Sequence, residues 1–340
     1  MSDKQLRISA TGCSNIMSCN VTQSHESSTA IASINCAGAS IDVGDTISIS
    51  MGYVGGPYDR VFRGLVKMKE KSTPEGLYNI TAHDVMTRAV DFFIVSSDPN
   101  DPIQLWNVTA EYVVEYVMNL AGLHSFTSDP TYFTLGIESP VEINLVTSYD
   151  YGRMISDLVA FNIWADADGV VHMENRKPYP MDGSSGQPGD TADGSIGSVN
   201  DNSILSADPG FNEKDLRNKI VVYGAEDVHA EASSSTSYDP YTGGMRQILP
   251  GGFYKAAVLA SPLIETTAFA QAIANYNLTM LNRLTYEMPL TIEGNPTYEA
   301  RKCITVSSAK AEISSSLWYI YQLEHNFSKS GYTTGMVLRK

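Results

Sequence analysis

The chain has 340 residues, 38 of them acidic and 23 basic, and its formal net charge is −15. This length allows two or three domains, and the lack of a basic surplus argues against specific binding of DNA. Hydrophobic residues make up 43% of the chain, but no apolar run approaches the ~18 residues of a membrane span. The first residues also lack an apolar signal segment, so we expect neither membrane insertion nor secretion.

Residues 1–95 are predicted to form a first, all-β domain. Segments 21–36 and 43–51 are expected to supply strands, because short alternating apolar and polar residues are bounded by Gly, Pro, Asp and Ser. Ile47 and Ile49 alternate with small polar residues, and we therefore expect both side chains in an apolar core.

Residues 96–180 are predicted to form an α+β domain. A helix is expected at 107–120, because its apolar residues fall on one face; Asn107 or Thr109 caps its start and Gly122 ends it. A second helix begins after Asp150, and its predicted buried stripe consists of Met154, Ile155, Leu158 and Val159.

The segment 161–174 is predicted to be a β-hairpin. Its central Asp166-Ala167-Asp168-Gly169 resembles the opening of a calcium loop, but the twelfth position of such a loop would be Lys177, which repels a cation. Asp-Gly also suits the positive φ values of a tight turn. We therefore expect a turn here and no metal site.

The remaining residues are predicted to form a linker-like segment and a second β domain. Residues 181–211 are rich in Gly, Ser, Asp and Pro and are expected to be a flexible excursion. Residues 212–340 are expected to begin with a strand at 218–224, continue with a helix at 266–285 and end with strands over 286–338. The predicted apolar stripe of this helix is Phe269, Ile273, Tyr276, Met280 and Leu284.

The two ends of the chain follow the same strand pattern, which is the most informative feature of the sequence. The two copies are residues 43–84 and residues 300–338. Each copy has an alternating strand, a turn-rich gap, a second strand, a charged turn and a strand opened by Gly and Tyr. Thr46 and Phe62 have the same separation as Cys303 and Tyr319. A small antiparallel unit that occurs twice in one chain is typical of a ring or tube.

The negative charge is concentrated between these two copies. Residues 101–210 carry 16 acidic and 3 basic side chains, whereas residues 1–100 carry 10 and 8 and residues 211–340 carry 12 of each. The middle segment alone therefore has a net charge of −13. A channel wall with this charge does not hold a passing polyanion, but whether this segment lines a channel is left open by the sequence.

No residue pattern in the sequence indicates catalysis. The nucleophile elbow, the zinc-protease helix and the phosphate-binding loop are all missing. The six histidines are dispersed, and His83 and His325 are expected to make structural hydrogen bonds at their strands. Glu111 and Glu115 lie one turn apart and are expected on a solvated helix face. We therefore predict no catalytic, cofactor-binding or metal-binding residues and no cofactor.

The four cysteines do not form a metal-ligand pattern, since none belongs to a Cys-x-x-Cys pair. A disulfide between Cys13 and Cys19 is conceivable. Without a secretory signal, however, reduced and partly buried thiols are the expectation for these residues.

Two groups of aromatic residues are candidate subunit contacts, because aromatic side chains in loose segments are often ordered by a partner. The alternative is that they pack on their own domain. The groups are Trp318, Tyr319 and Tyr321 in the final strands, and Tyr238, Tyr241, Phe253 and Tyr254 before the long helix.

An ordered series of motifs resembles the late-control-D-like family, the central hub proteins of phage tail baseplates, and the N-terminal part of type VI secretion spike proteins. The matching segments are residues 44–49 (GDTISI), 62–66 (FRGLV), 78–84 (YNITAHD), 166–169 (DADG), 218–224 (NKIVVYG) and 325–334 (HNFSKSGYTT). The sequence departs from the repeat where Ala300-Arg301-Lys302 replaces Val43-Gly44-Asp45. The 181–210 excursion has no counterpart in the family pattern.

The resemblance implies an α+β, mainly β fold with two related small antiparallel β-barrels, similar to tail-tube domains, and an α+β domain between them. It implies a homotrimer whose six barrels form a pseudo-sixfold ring in the virion, after assembly in the host cytoplasm. Such a ring adapts a sixfold tail tube to a threefold tail spike. The expected partners are the tube protein, the spike protein and other baseplate proteins, and DNA passes through the channel without specific binding.

Two other functions remain open. A receptor- or glycan-binding tail module shares the β-rich architecture and the exposed aromatic residues. A tail-associated cell-wall hydrolase is also conceivable, although the sequence shows no nucleophile or metal constellation for it.

Overall fold

A computed structural model shows a mainly β chain in which one large, chiefly antiparallel sheet joins the two ends of the sequence. Smaller sheets and the helices form an α+β part with its own core. The predicted fold class, α+β and mainly β, is therefore confirmed. The described residues are 5–73, 76–96, 98, 100–131, 133–183 and 191–340.

The first half of the large sheet has six antiparallel strands. They are β1 (Leu6–Ala10), β2 (Cys13–Ser24), β3 (Ile31–Ala39), β4 (Thr46–Tyr53), β5 (Tyr58–Lys71) and β6 (Tyr78–Asp84). Their order is β1-β4-β5-β6-β3-β2. Ile47, Ile49 and Val66 are fully buried in the cluster that these strands enclose, as the alternation predicted for the two isoleucines. Alternate residues of a strand face opposite sides, which places the polar ones outside.

The middle part of the chain packs three helices on short strands. Its elements are α1 (Thr87–Asp91), β7 (Phe93–Ile94), β8 (Ile103–Leu105), β9 (Val108–Thr109), α2 (Ala110–Leu120), β10 (Phe126–Ser128), β11 (Thr134–Leu135), β12 (Val141–Ile143), β13 (Val146–Thr147), α3 (Ser148–Leu158), β14 (Asn162–Ala165) and β15 (Val171–Glu174). The strands β14 and β15 form the predicted hairpin, paired from Asn162↔Glu174 to Ala165↔Val171.

The two longer helices of this part begin at threonine caps. The Thr109 hydroxyl accepts a hydrogen bond from the Tyr112 amide, and the Thr147 hydroxyl accepts one from the Asp150 amide. Of the two cap candidates for α2, Thr109 is therefore the one used. The predicted stripe of α3 is wrong at Met154, which is 46% exposed. The buried face of α3 instead runs through Tyr151, Gly152, Ile155 and Ser156.

The segment predicted as a flexible excursion contains strands of the large sheet. These are β16 (Ser195–Asn200), β17 (Ile204–Ala207) and β18 (Gly210–Asn212). The first pairs with a strand near residue 305 and the other two with a strand near residue 290. The prediction was wrong for these residues because the sheet orders them through backbone pairing that composition does not reveal. Residues 184–190 of the predicted excursion lie outside the described residues.

An insertion follows that belongs to the middle part. It consists of β19 (Lys219–Tyr223), β20 (His229–Ser233), β21 (Ser237–Asp239), β22 (Gly244–Arg246), β23 (Ala256–Ala260) and α4 (Thr267–Leu281). The strand β19 pairs with β20 and β23, and its buried residues share a core with α2, α3 and α4. The prediction that residues 218–224 open the second barrel is therefore wrong, because the apolar run does not specify which sheet it joins.

The second half of the large sheet is completed by β24 (Thr285–Glu293), β25 (Cys303–Ser308), β26 (Ile313–Ser328) and β27 (Gly331–Arg339). Its strand order is β16-β25-β26-β27-β24-β17, with β18 also on β24. This order repeats β1-β4-β5-β6-β3-β2 strand for strand. The first pair differs in direction, since β1 is antiparallel to β4 and β16 is parallel to β25. The sequence repeat therefore extends to six strands in each half.

Two backbone details support this correspondence. In the first half, the Gly44 amide donates to the Val66 carbonyl and the Val66 amide donates to the Asp45 carbonyl. In the second half, the Arg301 amide donates to the Ile320 carbonyl and the Ile320 amide donates to the Lys302 carbonyl. A β-bulge follows Val66 in one half and Ile320 in the other. The residue-by-residue spacing expected from the sequence does not hold in the pairing, because Cys303 pairs with Tyr319 whereas Thr46 pairs with Leu65.

The long strand β26 joins the two halves. Its first residues pair with β25, and residues 322–328 pair with residues 18–24 of β2. The two halves therefore share one continuous sheet, although each encloses its own apolar cluster. Among the residues that the structure describes, no helix combines the length and the apolar character needed to cross a bilayer.

Candidate functional site

The first half, the second half and the middle part meet at a buried polar junction. We use this name for His25, Asp84, Asn162, Arg301, Tyr319 and Tyr321. The Nδ1 atom of His25 lies 2.7 Å from the Tyr319 hydroxyl, and the Asn162 side-chain amide lies 3.0 Å from Nε2. The His25 ring also stacks on Tyr321 with centroids 5.4 Å apart. Burial lowers the pKa of His25 well below its usual value, aided by nearby arginines.

Arg301 is the charged group at the centre of this junction. It is 5% exposed, has a φ of 69°, and donates hydrogen bonds to the carbonyls of Ser24 and His25. Its guanidinium carbon lies 5.2 Å from the ring centre of Trp164. Burial lowers its pKa to about 10, and among the described residues its Nε atom has no hydrogen-bond partner. The residue thus ties the turn before β25 to the β2–β3 loop and the hairpin.

Asp84 lies at the edge of the same junction, at the end of β6. Its carboxylate accepts hydrogen bonds from the amides of Ala30 at 2.7 Å and Met86 at 3.0 Å. Burial raises its pKa to about 7 although these bonds and the charge of Arg301 favour the ionised form. The junction therefore holds a buried carboxyl group, Asp84, and a buried guanidinium group, Arg301, and both form hydrogen bonds with the backbone of the fold.

An ion-pair network connects the hairpin to the second half. His172 lies 3.0 Å from an Asp166 oxygen and 2.8 Å from a Glu174 oxygen. Burial alone would lower the pKa of His172, but these two carboxylates raise it to about 9. Arg176 continues the network from Glu174 to Asp193, just before β16. The Asp166–Gly169 turn therefore uses its carboxylates within the fold.

Structural partners are found for the residues considered in the sequence, His325, His83 and Glu111. His325 is 1% exposed, lies 2.8 Å from the Tyr332 hydroxyl, and has its pKa lowered to about 4 by burial. His83 pairs with Ile31 within the sheet. Glu111 bonds to the Thr131 hydroxyl, so it is not simply solvated. In the described part of the chain, no three His, Cys, Asp or Glu residues are arranged to hold a metal ion.

All four cysteines are free. Cys13 and Cys19 lie six residues apart in the same strand, β2. That separation is about 20 Å along a strand, far beyond the Cα distance of a disulfide. Burial raises the pKa of Cys13 to about 12, and a protonated thiol is a poor nucleophile.

The aromatic candidates divide into interior and surface residues. The interpretation of Trp318, Tyr319 and Tyr321 as subunit contacts is wrong, because all three are buried in their own chain. Tyr238 is half-buried beside Arg283. The exposed members are Tyr241 at 68%, Phe253 at 53% and Tyr254 at 48%. No local sequence signal separates the two groups, since burial depends on which sheet lies opposite.

Among the described strands, the end of β5 and the β17–β18 pair each have a backbone edge that no other strand covers. Residues 67–71 at the end of β5 lie beyond the part paired with β4, which ends at Leu65. In the second half, β17 and β18 pair only with β24 among the described strands. Met68 on the first edge is 42% exposed and Phe211 on the second is 48% exposed. Sequence reasoning missed these edges because they are defined by strand neighbours.

Comparison with known proteins identifies the fold. No protein-family model and no curated protein matches the sequence. The tail protein from Neisseria meningitidis MC58 superposes with a TM-score of 0.67 at 10% identity, covering 99% of this chain and 97% of its own. The 43 kDa tail protein of prophage MuSo2 from Shewanella oneidensis gives 0.66 at 13% identity, with coverages of 99% and 98%.

A type VI secretion protein is also similar. The E. coli c3393 protein, described as a component of that system with structural similarity to T4 bacteriophage tail proteins gp27 and gp5, gives a TM-score of 0.52 at 10% identity. The match covers 98% of this chain and 76% of that protein. The chain therefore has the fold of phage tail proteins, which confirms the resemblance inferred from its ordered motifs.

Proposed function

We propose that this chain is a structural protein of a phage tail baseplate, and that three copies form the hub at its centre. The observation that carries this proposal is the duplicated six-strand unit, with its equivalent turn and bulge, in a fold shared with tail proteins. Each half acts as a tube-like barrel, and the middle part with its insertion braces the pair from one side.

Duplication gives such a protein two symmetries at once. Three copies of a chain with two equivalent halves present six related surfaces, whereas their unduplicated middle parts present three. The six surfaces dock a hexameric tail tube and the three dock a trimeric spike. The hub therefore lies between these two partners, among other baseplate proteins of the virion, after assembly in the host cytoplasm.

The channel through this ring is a passage and not a binding site. The chain carries a net charge of −15, and a protein of this net sign repels DNA phosphates overall. We propose that DNA passes without specific binding. In keeping with the buried junction and its structural contacts, we propose no catalytic activity.

Native mass measured on the purified chain, alone and with the spike protein of the same tail, tests the proposal. The expected species has three times the chain mass of 37.0 kDa, or is a complex containing three copies. A species that stays monomeric under both conditions contradicts the hub.

One surface feature favours a second candidate, a glycan-binding tail module. A cavity of about 560 Å³ is lined by residues that include Tyr179, Tyr238 and Arg283, and the guanidinium carbon of Arg283 lies 3.4 Å from the Tyr179 ring centre. Aromatic walls with a few polar groups are typical of ligand sites. A glycan array with the isolated chain tests this function, and a peptidoglycan-release assay tests the cell-wall hydrolase.

A further inference from the structure

Within one chain, the two halves are joined by an edge-to-edge strand pairing, and this pairing serves as the template for a contact between subunits. Residues 18–24 of β2 run antiparallel to residues 322–328 of β26, and Thr22 lies opposite Glu324. The pairing buries the inward-facing side chains: Val21 is 0% and His325 is 1% exposed. An edge of the first half thus covers an edge of the second.

The strand correspondence locates the same two edges on the opposite halves. Val66 and Ile320 are equivalent, because each precedes the bulge and pairs with the strand that follows. Counting on four residues from each makes Glu70 the equivalent of Glu324.

The same counting applies to the other edge. Ala82 of β6 pairs with Val66 and Leu338 of β27 pairs with Ile320, so Ala82 and Leu338 are equivalent. Their partners on the next strand, Ala32 and Met288, are therefore equivalent as well, which makes Ile31 equivalent to Glu287. Because Thr22 pairs with Ile31 and Gly210 pairs with Glu287, Gly210 is the equivalent of Thr22.

No other described strand covers either of these equivalent edges. All three residues of β18 are exposed, and residues 67, 68, 70 and 71 of β5 are exposed as well. Residues 67–71 hold three lysines and one glutamate, whereas residues 204–212 hold one aspartate and no basic residue. Lys67 and Lys69 already form ion pairs with Asp91 and Asp42 of their own chain, so the two edges differ in sign but charge attraction is not the main argument for the contact. Long open edges invite strand pairing, and natural proteins usually protect them.

We propose that the β17–β18 edge of one subunit pairs antiparallel with the end of β5 in a second copy of this chain, repeating the β2–β26 junction between subunits. This inference rests on the proposed trimer and gives its contact a register. Gly210 lies opposite Glu70 of the partner subunit, Phe211 opposite Lys69 of the partner subunit, and Asn212 opposite Met68 of the partner subunit. The contact joins different edges and is therefore heterologous; in the proposed trimer a threefold rotation between neighbouring chains closes it into a ring.

Cysteine cross-linking of the full chain tests this register. The double variant Glu70→Cys/Gly210→Cys places two thiols at a directly opposed pair, where Cβ atoms lie about 5 Å apart. Both positions are exposed, and in the described part no atom lies within 4 Å of a Cβ built at Gly210. Under oxidation, we expect covalent dimers and trimers on a denaturing gel that dithiothreitol reverses.

The matched control is Glu70→Cys/Ser206→Cys, whose second thiol lies on the same strand face but about 13 Å away along the chain. Native mass is measured on both variants before oxidation. Trimers that cross-link through Gly210→Cys at least tenfold more than through Ser206→Cys support the register. Trimers that cross-link equally, or not at all, overturn the register and leave the trimer standing. A mass of one chain in both variants and in the unmodified protein overturns the trimer itself.

Discussion

The two halves of the large sheet share a strand order, a turn and a bulge, yet the same backbone positions have opposite surroundings. Gly44 in the first half is exposed with a φ of 94°, whereas its equivalent Arg301 is 5% exposed with a φ of 69°. The bulge residue Lys67 is exposed, and its equivalent Tyr321 stacks on His25 in the buried junction. Strand pairing thus fixes the backbone, and the neighbouring part of the molecule selects the side chain.

This difference shows how a duplicated unit can take two roles. A non-glycine residue with positive φ costs about 1 kcal/mol, so Arg301 is retained for contacts that offset the strain. Those contacts hold the hairpin and the β2–β3 loop against the second half. Gly44 in the first half has no side chain with which to make such contacts, and the uncovered edge of β5 is available to another chain.

The largest expected effect comes from a charge placed in either core. Ile47→Asp in the first half and Ile304→Asp in the second each bury a carboxylate at a site that is 0% exposed. We expect a loss of about 5 kcal/mol or more, enough to unfold the affected half. Chemical denaturation followed by circular dichroism measures this loss.

The matched control for this core prediction is Ser48→Asp, next to Ile47 on the opposite face of β4. It is expected to change stability by less than about 1 kcal/mol. Native-like folding of Ile47→Asp would contradict the strand register on which the comparison of the halves depends.

The next effect separates the two equivalent turns directly. Arg301→Gly removes the φ strain but also the buried guanidinium, its bonds to the Ser24 and His25 carbonyls and its contact with Trp164. We expect a loss of the order of 3 kcal/mol. Gly44→Ala adds strain at an exposed turn and is expected to cost about 1 kcal/mol. If equilibrium unfolding shows Gly44→Ala to be the more costly change, the junction does not have the role inferred for it.

A pH profile distinguishes the halves at another equivalent position. His325 is buried with its pKa lowered to about 4, whereas its equivalent Lys71 is exposed. Between pH 6.5 and 4 the unfolded chain binds a proton at His325 that the folded chain does not, so this group lowers stability as pH falls, by about 3 kcal/mol in total. We expect His325→Gln to flatten this part of the profile.

The comparison with His325→Gln isolates one group among several. Asp84 has a raised pKa of about 7, so its folded form binds the extra proton and its contribution has the opposite sign between pH 4 and 7. The difference between the two profiles cancels the Asp84 contribution because both proteins retain it. Parallel profiles would mean that His325 titrates normally.

Features of this structure could be predicted when the residues that determine them are close together in the sequence. The alternation in residues 43–51 is local and was predicted from the sequence, and the helix cap was narrowed to Asn107 or Thr109. The strands β16 to β18 were missed because Ser, Gly and Asp carry no strand signal and their partners lie about 70 to 110 residues further along the chain. The junction was missed because nothing near Arg301 signals burial, which depends on the middle part.

The smallest effect on stability, with a large effect on assembly, is expected at two exposed aromatic residues of the insertion that packs with the middle part. The first half has no insertion at the equivalent place, between β2 and β3. Phe253 and Tyr254 are 53% and 48% exposed, so changing both to Ser removes little packing and is expected to alter unfolding by less than about 1 kcal/mol. If they contact a neighbouring subunit, native mass falls toward 37.0 kDa. Trp106→Ser is the matched control, since Trp106 is 50% exposed on the middle part. If the double variant remains a trimer, these residues do not contact another subunit, and the sheet edges remain the proposed contact between subunits.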